Sequence, residues 1–157
     1  MRPNRRLILL ALPVLVSPTS LAAAPCRAPV VLFVCPAGTV KSAIARETLK
    51  RRAASAGLRL DVRSRGIAPE DHVSPTLAAR LRADGIDPAA EAPRAVTAAD
   101  VARADVVVAF DAAAQAPLLK NARAWSTPSW NADYDAAKAD LDRRLADLVA
   151  ELAGGCP

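Results

Sequence analysis

Cys35 closes an apolar, largely β-branched run, Val30-Val31-Leu32-Phe33-Val34, and Lys41 and Ser42 follow it after Pro36, Ala37, Gly38, Thr39 and Val40. Ala43-Ile44-Ala45-Arg46-Glu47-Thr48-Leu49 then reads as a helix. A thiol at the end of a buried strand, an anion-sized loop and a helix N-terminus together can bind an oxyanion and attack it. Loop N–H groups and the helix dipole favour negative charge, and a thiolate is the nucleophile. Gly38 permits the backbone angles such a loop needs, whereas Pro36 has no N–H to give.

The elements that must position these residues follow in order. A helix is predicted from Ser42 to about Ala56, stopped by Gly57, with Ile44, Leu49 and Ala53 on its apolar face. Leu58 to Ser64 alternates as a half-covered strand does. Ser74 is the expected N-cap and Pro75 the first residue of a second helix, which Gly85 ends. Thr97 should cap a short helical turn, and Ala104 to Phe110 is a second near-continuous apolar strand. Asp111 follows as the expected cap of a helix over 112–119. An edge strand is predicted over 122–125, a loop over Ser126–Trp130, and a long amphipathic helix from Asp133 to about Leu152. Strands alternating with helices predict a three-layer, doubly wound α/β fold around a mostly parallel four-stranded sheet. Ligands of such sheets sit beyond the carboxyl ends of the strands, the rim that should carry Cys35, Arg65, Asp111 and the Trp125–Tyr134 loop.

The 157 residues suffice for one domain with a real core. Arg2, Arg5 and Arg6, the apolar Leu7–Val16 and the small residues Ser20–Ala24 predict a signal peptide over 1–24, cut after Ala22 or Ala24, ahead of a domain over 27–153. Its apolar run is too short for a stable membrane span, and export to the periplasm or medium is the expectation. Removing it takes the net charge from +5 to +2, with 18 basic residues left against 16 acidic. That balance, with no basic cluster and few aromatics, argues against nucleic acid. Nothing in the chain calls for a metal or cofactor. In an oxidising compartment Cys26 and Cys156, at opposite ends of the domain, are expected to pair and leave Cys35 free.

Cys35 through Ser42 after the valine-rich strand resembles the signature loop of low-molecular-weight protein tyrosine phosphatases and the related thioredoxin-coupled arsenate reductases: a cysteine, five residues, an arginine and a serine. Val62–Gly66, Val73–Asp87 and Thr97–Asp111 resemble later segments of that family, so the resemblance covers essentially the whole mature chain. It implies Cys35 as nucleophile, Ser42 as thiolate partner, Ala37, Gly38, Thr39 and Val40 as phosphate cradle, Lys41 as the loop cation, and a phosphomonoester or other phosphate-like oxyanion as ligand.

The chain departs from the family pattern at four points, one of them Pro36, whose position cannot donate to an anion. Lys41 stands where the family has arginine, and an ammonium lacks the planar two-pronged grip on a phosphoryl group. Gly38 replaces the usual asparagine. The family's late-loop aspartate, which protonates the leaving oxygen, aligns with Ser129; Asp133 is the substitute, or else simply an acid in the first turn of the last helix, where acids are favourable. Trp130 and Tyr134 either wall the entrance or pack under that helix. No cysteine lies between Cys35 and Cys156, which leaves the disulfide relay of the arsenate-reductase branch without its parts. Two functions remain open: a weak phosphomonoesterase working through a cysteinyl-phosphate, and an oxyanion-binding or interaction module that keeps the fold without catalysis.

Overall fold

The computed structural model describes residues 27–154. The expected signal peptide and both Cys26 and Cys156 lie outside the described residues. Four strands, β1 (Val30–Cys35), β2 (Asp61–Gly66), β3 (Val106–Phe110) and β4 (Arg123–Trp125), form one sheet in the order β2-β1-β3-β4. Every pairing is parallel. The helices are α1 (Lys41–Ser55), α2 (Pro75–Ala83), α3 (Ala98–Arg103) and α4 (Tyr134–Ala153).

β1 is central and buried along its whole length, which explains its unbroken apolar run. Its odd-numbered residues Val31, Phe33 and Cys35 face a core built with α1, α2 and α4. Leu32 and Val34 face a smaller core with Ala109, Ala113 and Leu119, packed by Val101 of α3. The fold is therefore the three-layer α/β arrangement that the alternation of elements predicts.

Local chemistry sets the ends of the elements. Ser74 accepts a hydrogen bond from Leu77 N–H and caps α2 ahead of Pro75. Thr97 and Asp100 form a reciprocal capping box on α3. Two boundaries differ from expectation. β2 begins at Asp61, not Leu58, because Asp61 pairs with Val30, where β1 itself starts. The helix expected over 112–119 is instead two short 3-10 segments, Asp111–Gln115 and Pro117–Leu119. Pro117 has no N–H and holds Ala116 extended, so a continuous helix cannot form.

Trp130 and Tyr134 are both buried in the main core, ring centroids 5.3 Å apart in a T-shaped pair. They anchor the far end of the Ser126–Asp133 segment rather than lining an entrance. Tyr134 donates its phenol proton to Asp84 (2.8 Å). Burial, and then this bond to Asp84, pushes its pKa from 10.0 up to about 12. The unfolded chain therefore releases this proton first. The stabilisation is complete below about pH 10 and is lost as pH rises toward 12, by up to about 2–3 kcal/mol. Urea unfolding at intervals across that window should show a steeper alkaline loss for the native chain than for Tyr134→Phe; equal slopes would refute the assignment.

Candidate functional site

β1 ends on Cys35, and the loop 36–40 leads straight into α1. The first three carbonyls of this stretch are tied outward. Cys35 O accepts from Ile67 N–H (3.1 Å), Pro36 O from Ala68 N–H (2.9 Å) and Ala37 O from Glu70 N–H (3.0 Å). With those carbonyls held behind, the loop N–H groups are left for its concave side, and Gly38 N–H donates to Cys35 Sγ at 3.1 Å. Two glycines make the packing possible. Gly38 has φ +76, and a Cβ there would stand 2.9 Å from Gly66 N. A Cβ on Gly66 would stand 2.9 Å from the Ala37 carbonyl.

α1 presents a bare N-terminus to the same spot. Val40, its N-cap, supplies no side-chain cap, and its first turn holds no acid. The first helical bond runs from Ile44 N–H to Val40 O (2.8 Å), so the N–H groups before it have no helical acceptor. In a 15-residue helix this is a favourable end for an anion.

Ser42 is fully buried, its Oγ 3.1 Å from Cys35 Sγ and 3.3 Å from Arg65 O. A hydroxyl has one proton, so it can serve only one of these acceptors at a time. With a neutral thiol, S–H donates to Oγ and the hydroxyl donates to Arg65 O. With a thiolate, the hydroxyl turns its proton to sulfur. Ser42 thus suits both ionisation states of Cys35.

Lys41 does not stand free. Its ammonium pairs with the Asp111 carboxylate and donates to Thr127 O (2.7 Å). Thr127 N–H in turn donates to Asp111 Oδ1 (3.2 Å). The three residues form a closed clasp joining the loop, the end of β3 and the Ser126–Asp133 segment. Asp111 has φ +50, a left-handed conformation that aspartate tolerates better than most residues. The expectation that Asp111 only caps a helix misses this role. The signal was in the register: Val34 pairs with Ala109, so Asp111 falls beside the start of the Cys35 loop.

Asp133 is the N-cap of α4 and accepts from Ala136 N–H (3.0 Å). Asp111 reaches the loop through Lys41, and Asp71 and Glu91 share a cavity wall with Gly38 and Thr39. Residues 126–132 contain no acid. His72 is exposed. Among the described residues, no group of three or more His, Cys, Asp or Glu is arranged to hold a metal ion, and no helix is long and apolar enough to cross a membrane.

A family model described as low molecular weight phosphotyrosine protein phosphatase matches residues 30–148, from the first residue of β1 into α4. The chain belongs to this family. Among curated proteins, none matches it in sequence. Solved structures agree on the fold. A thioredoxin-dependent arsenate reductase from Corynebacterium glutamicum matches at 21% identity and TM-score 0.63, over 83% of this chain and 64% of that one. YfkJ from Bacillus subtilis matches at 18% and 0.68, over 85% and 100%. A low molecular weight protein tyrosine phosphatase from T. tengcongensis matches at 20% and 0.60, over 82% and 100%. The chain thus spans less than two thirds of the corynebacterial enzyme's length and the whole of the other two. In this member Lys41 is clasped by Asp111 and Thr127, and residues 126–132 hold no acid.

Two outcomes test this geometry. Gly66→Ala forces a Cβ against backbone and should cost about 1–3 kcal/mol in urea unfolding; an unchanged midpoint would contradict the close contact. Asp111→Asn keeps hydrogen-bonding capacity but removes the negative charge that competes for Lys41. Calorimetry should then show inorganic phosphate binding about three- to tenfold more tightly; equal or weaker binding would contradict the competition.

Proposed function

We propose that the protein hydrolyses phosphomonoesters at Cys35, with weak activity confined to good leaving groups. The single observation carrying this reading is that Cys35 Sγ lies 3.1 Å from both Ser42 Oγ and Gly38 N, at the uncapped start of α1. A backbone N–H donates to the sulfur, and a hydroxyl able to donate to a thiolate lies beside it, in a place that favours negative charge. A merely structural cysteine needs neither.

The Cys35 thiolate attacks phosphorus in line; an S–P bond forms as the bond to the leaving oxygen breaks. Backbone N–H groups of the Gly38–Lys41 stretch receive the non-bridging oxygens without reorganising. Water then attacks the cysteinyl-phosphate, releasing phosphate and the thiolate, which Ser42 again receives. The leaving oxygen must take a proton or leave as an anion. Residues 126–132 offer no carboxylate for this, and Asp133 is engaged as a helix cap. Aryl phosphates of acidic phenols are therefore the fitting substrates, and alkyl phosphates the poor ones. We also propose that the activity is exported, on the strength of the Arg2–Ala24 segment.

A second reading, an oxyanion-binding module without turnover, is favoured by the engagement of Lys41 with Asp111 and Thr127. Removing one transition-state contact of the arginine type costs ~10²–10³ in rate. Steady-state assay with an aryl phosphate separates the two readings. The enzyme reading expects turnover that Cys35→Ser abolishes, falls steeply as the leaving phenol becomes less acidic, and rises about tenfold or more in Lys41→Arg. Phosphate binding without cysteine-dependent turnover would establish the module instead.

A further inference from the structure

The Ser126–Asp133 segment is pinned at both ends and lightly held between them. Trp125 packs against Phe33 and Phe110, ring centroids 6.0 and 5.7 Å away, and Trp130 lies in the main core against Tyr134. Between these anchors Ser126, Pro128 and Ser129 are exposed and Thr127 is half-buried. Ser126 O accepts from Arg144 Nη2 of α4 (3.1 Å), and Ser129 O accepts from the N–H groups of Ala132 and Asp133 inside the segment. Among the described residues, the span is joined to the Cys35 loop through Thr127. Its carbonyl accepts from Lys41, and its N–H donates to Asp111, the carboxylate that pairs with Lys41. Lys41 is the loop's hold on the segment.

The closed clasp carries two costs that opening can relieve. Asp111 holds φ +50, where a side chain crowds its own backbone. The Thr127 hydroxyl is buried and, among the described residues, has no hydrogen-bond partner. Against both stands the charge of Lys41, which is also the only cation among residues 35–42. A dianion on the loop N–H groups and the Asp111 carboxylate make opposite demands on that one ammonium. Sharing it sets like charges side by side in a partly buried place, where their repulsion is weakly screened. Once Lys41 leaves, Asp111 has lost its counter-ion, and the 3.2 Å bond from Thr127 N–H competes with water for a carboxylate that is 31% exposed. An anion that takes Lys41 therefore binds the open state more tightly than the closed one, and such a difference is what shifts a two-state element.

We propose that the Lys41–Asp111–Thr127 clasp is an anion-operated latch: closed in the free protein, and opened when an oxyanion in the Cys35 loop draws Lys41 away and releases the span around Thr127. The latch rests on the reading of the loop as an anion site. Residue-resolved amide exchange, followed by NMR on the full chain, tests it in inorganic phosphate and in chloride of equal ionic strength. Phosphate should slow exchange at the Gly38–Ser42 amides and quicken it at Thr127 about tenfold, the change expected when hydrogen bonds to charged groups are lost. Chloride should do neither. In Lys41→Met, Thr127 should exchange at the fast rate with or without phosphate. Slowed loop amides with Thr127 unchanged or slower overturn the latch and leave the anion site standing, with Lys41 serving both sides through its third N–H. Equal quickening in chloride overturns it as screening of the ion pair, and a slow Thr127 in Lys41→Met overturns it as well. Loop amides indifferent to phosphate overturn the anion site and the latch together.

Discussion

The whole site depends on a backbone contact with no room for a methyl group. Gly38 and Gly66 lie so close that a Cβ on either would enter the other's peptide. That contact holds the loop against the end of β2, where Ile67, Ala68 and Glu70 take three carbonyls out of the way. Only then can the loop's N–H groups converge with the start of α1. The sulfur and the serine hydroxyl occupy the same focus, because one residue ends β1 and the other lies in the first turn of α1.

On the proposed reading, an anion is received by backbone groups, which survive side-chain change, whereas the loop cation is a side chain already engaged. Lys41 keeps one positive charge but shares it with Asp111 and Thr127. An ammonium has three donors, so two commitments leave one for a ligand. The clasp also ties the Ser126–Asp133 segment to the loop, giving Lys41 a structural task that its position in the sequence does not announce.

The fold was legible because its strands and helices carry plain periodicities. The unbroken apolar runs of β1 and β3 announce strands covered on both faces, and Ser74, Pro75 and Thr97 announce helix starts. Pro117 carried the information that broke the 112–119 helix, but the alanines around it masked the signal. The cysteine, serine and glycine of the site were legible because their roles follow from local spacing. Asp111 was not, since its carboxylate works across 70 residues of sequence, on Lys41. Asp133 shows the reverse: an acid with an attractive place in the sequence that the structure uses to cap α4.

The central claim is that Cys35 attacks phosphorus and does not merely sit beneath a bound oxyanion. Rapid acid quench of the protein with an excess of an activated aryl phosphate, followed by peptide mass spectrometry, tests it directly. The account predicts one phosphoryl group on the peptide containing Cys35, formed with a stoichiometric burst of phenol and absent in Cys35→Ser. Bound phosphate with no phosphoryl group on Cys35, or a phosphoryl group on another residue, would contradict it.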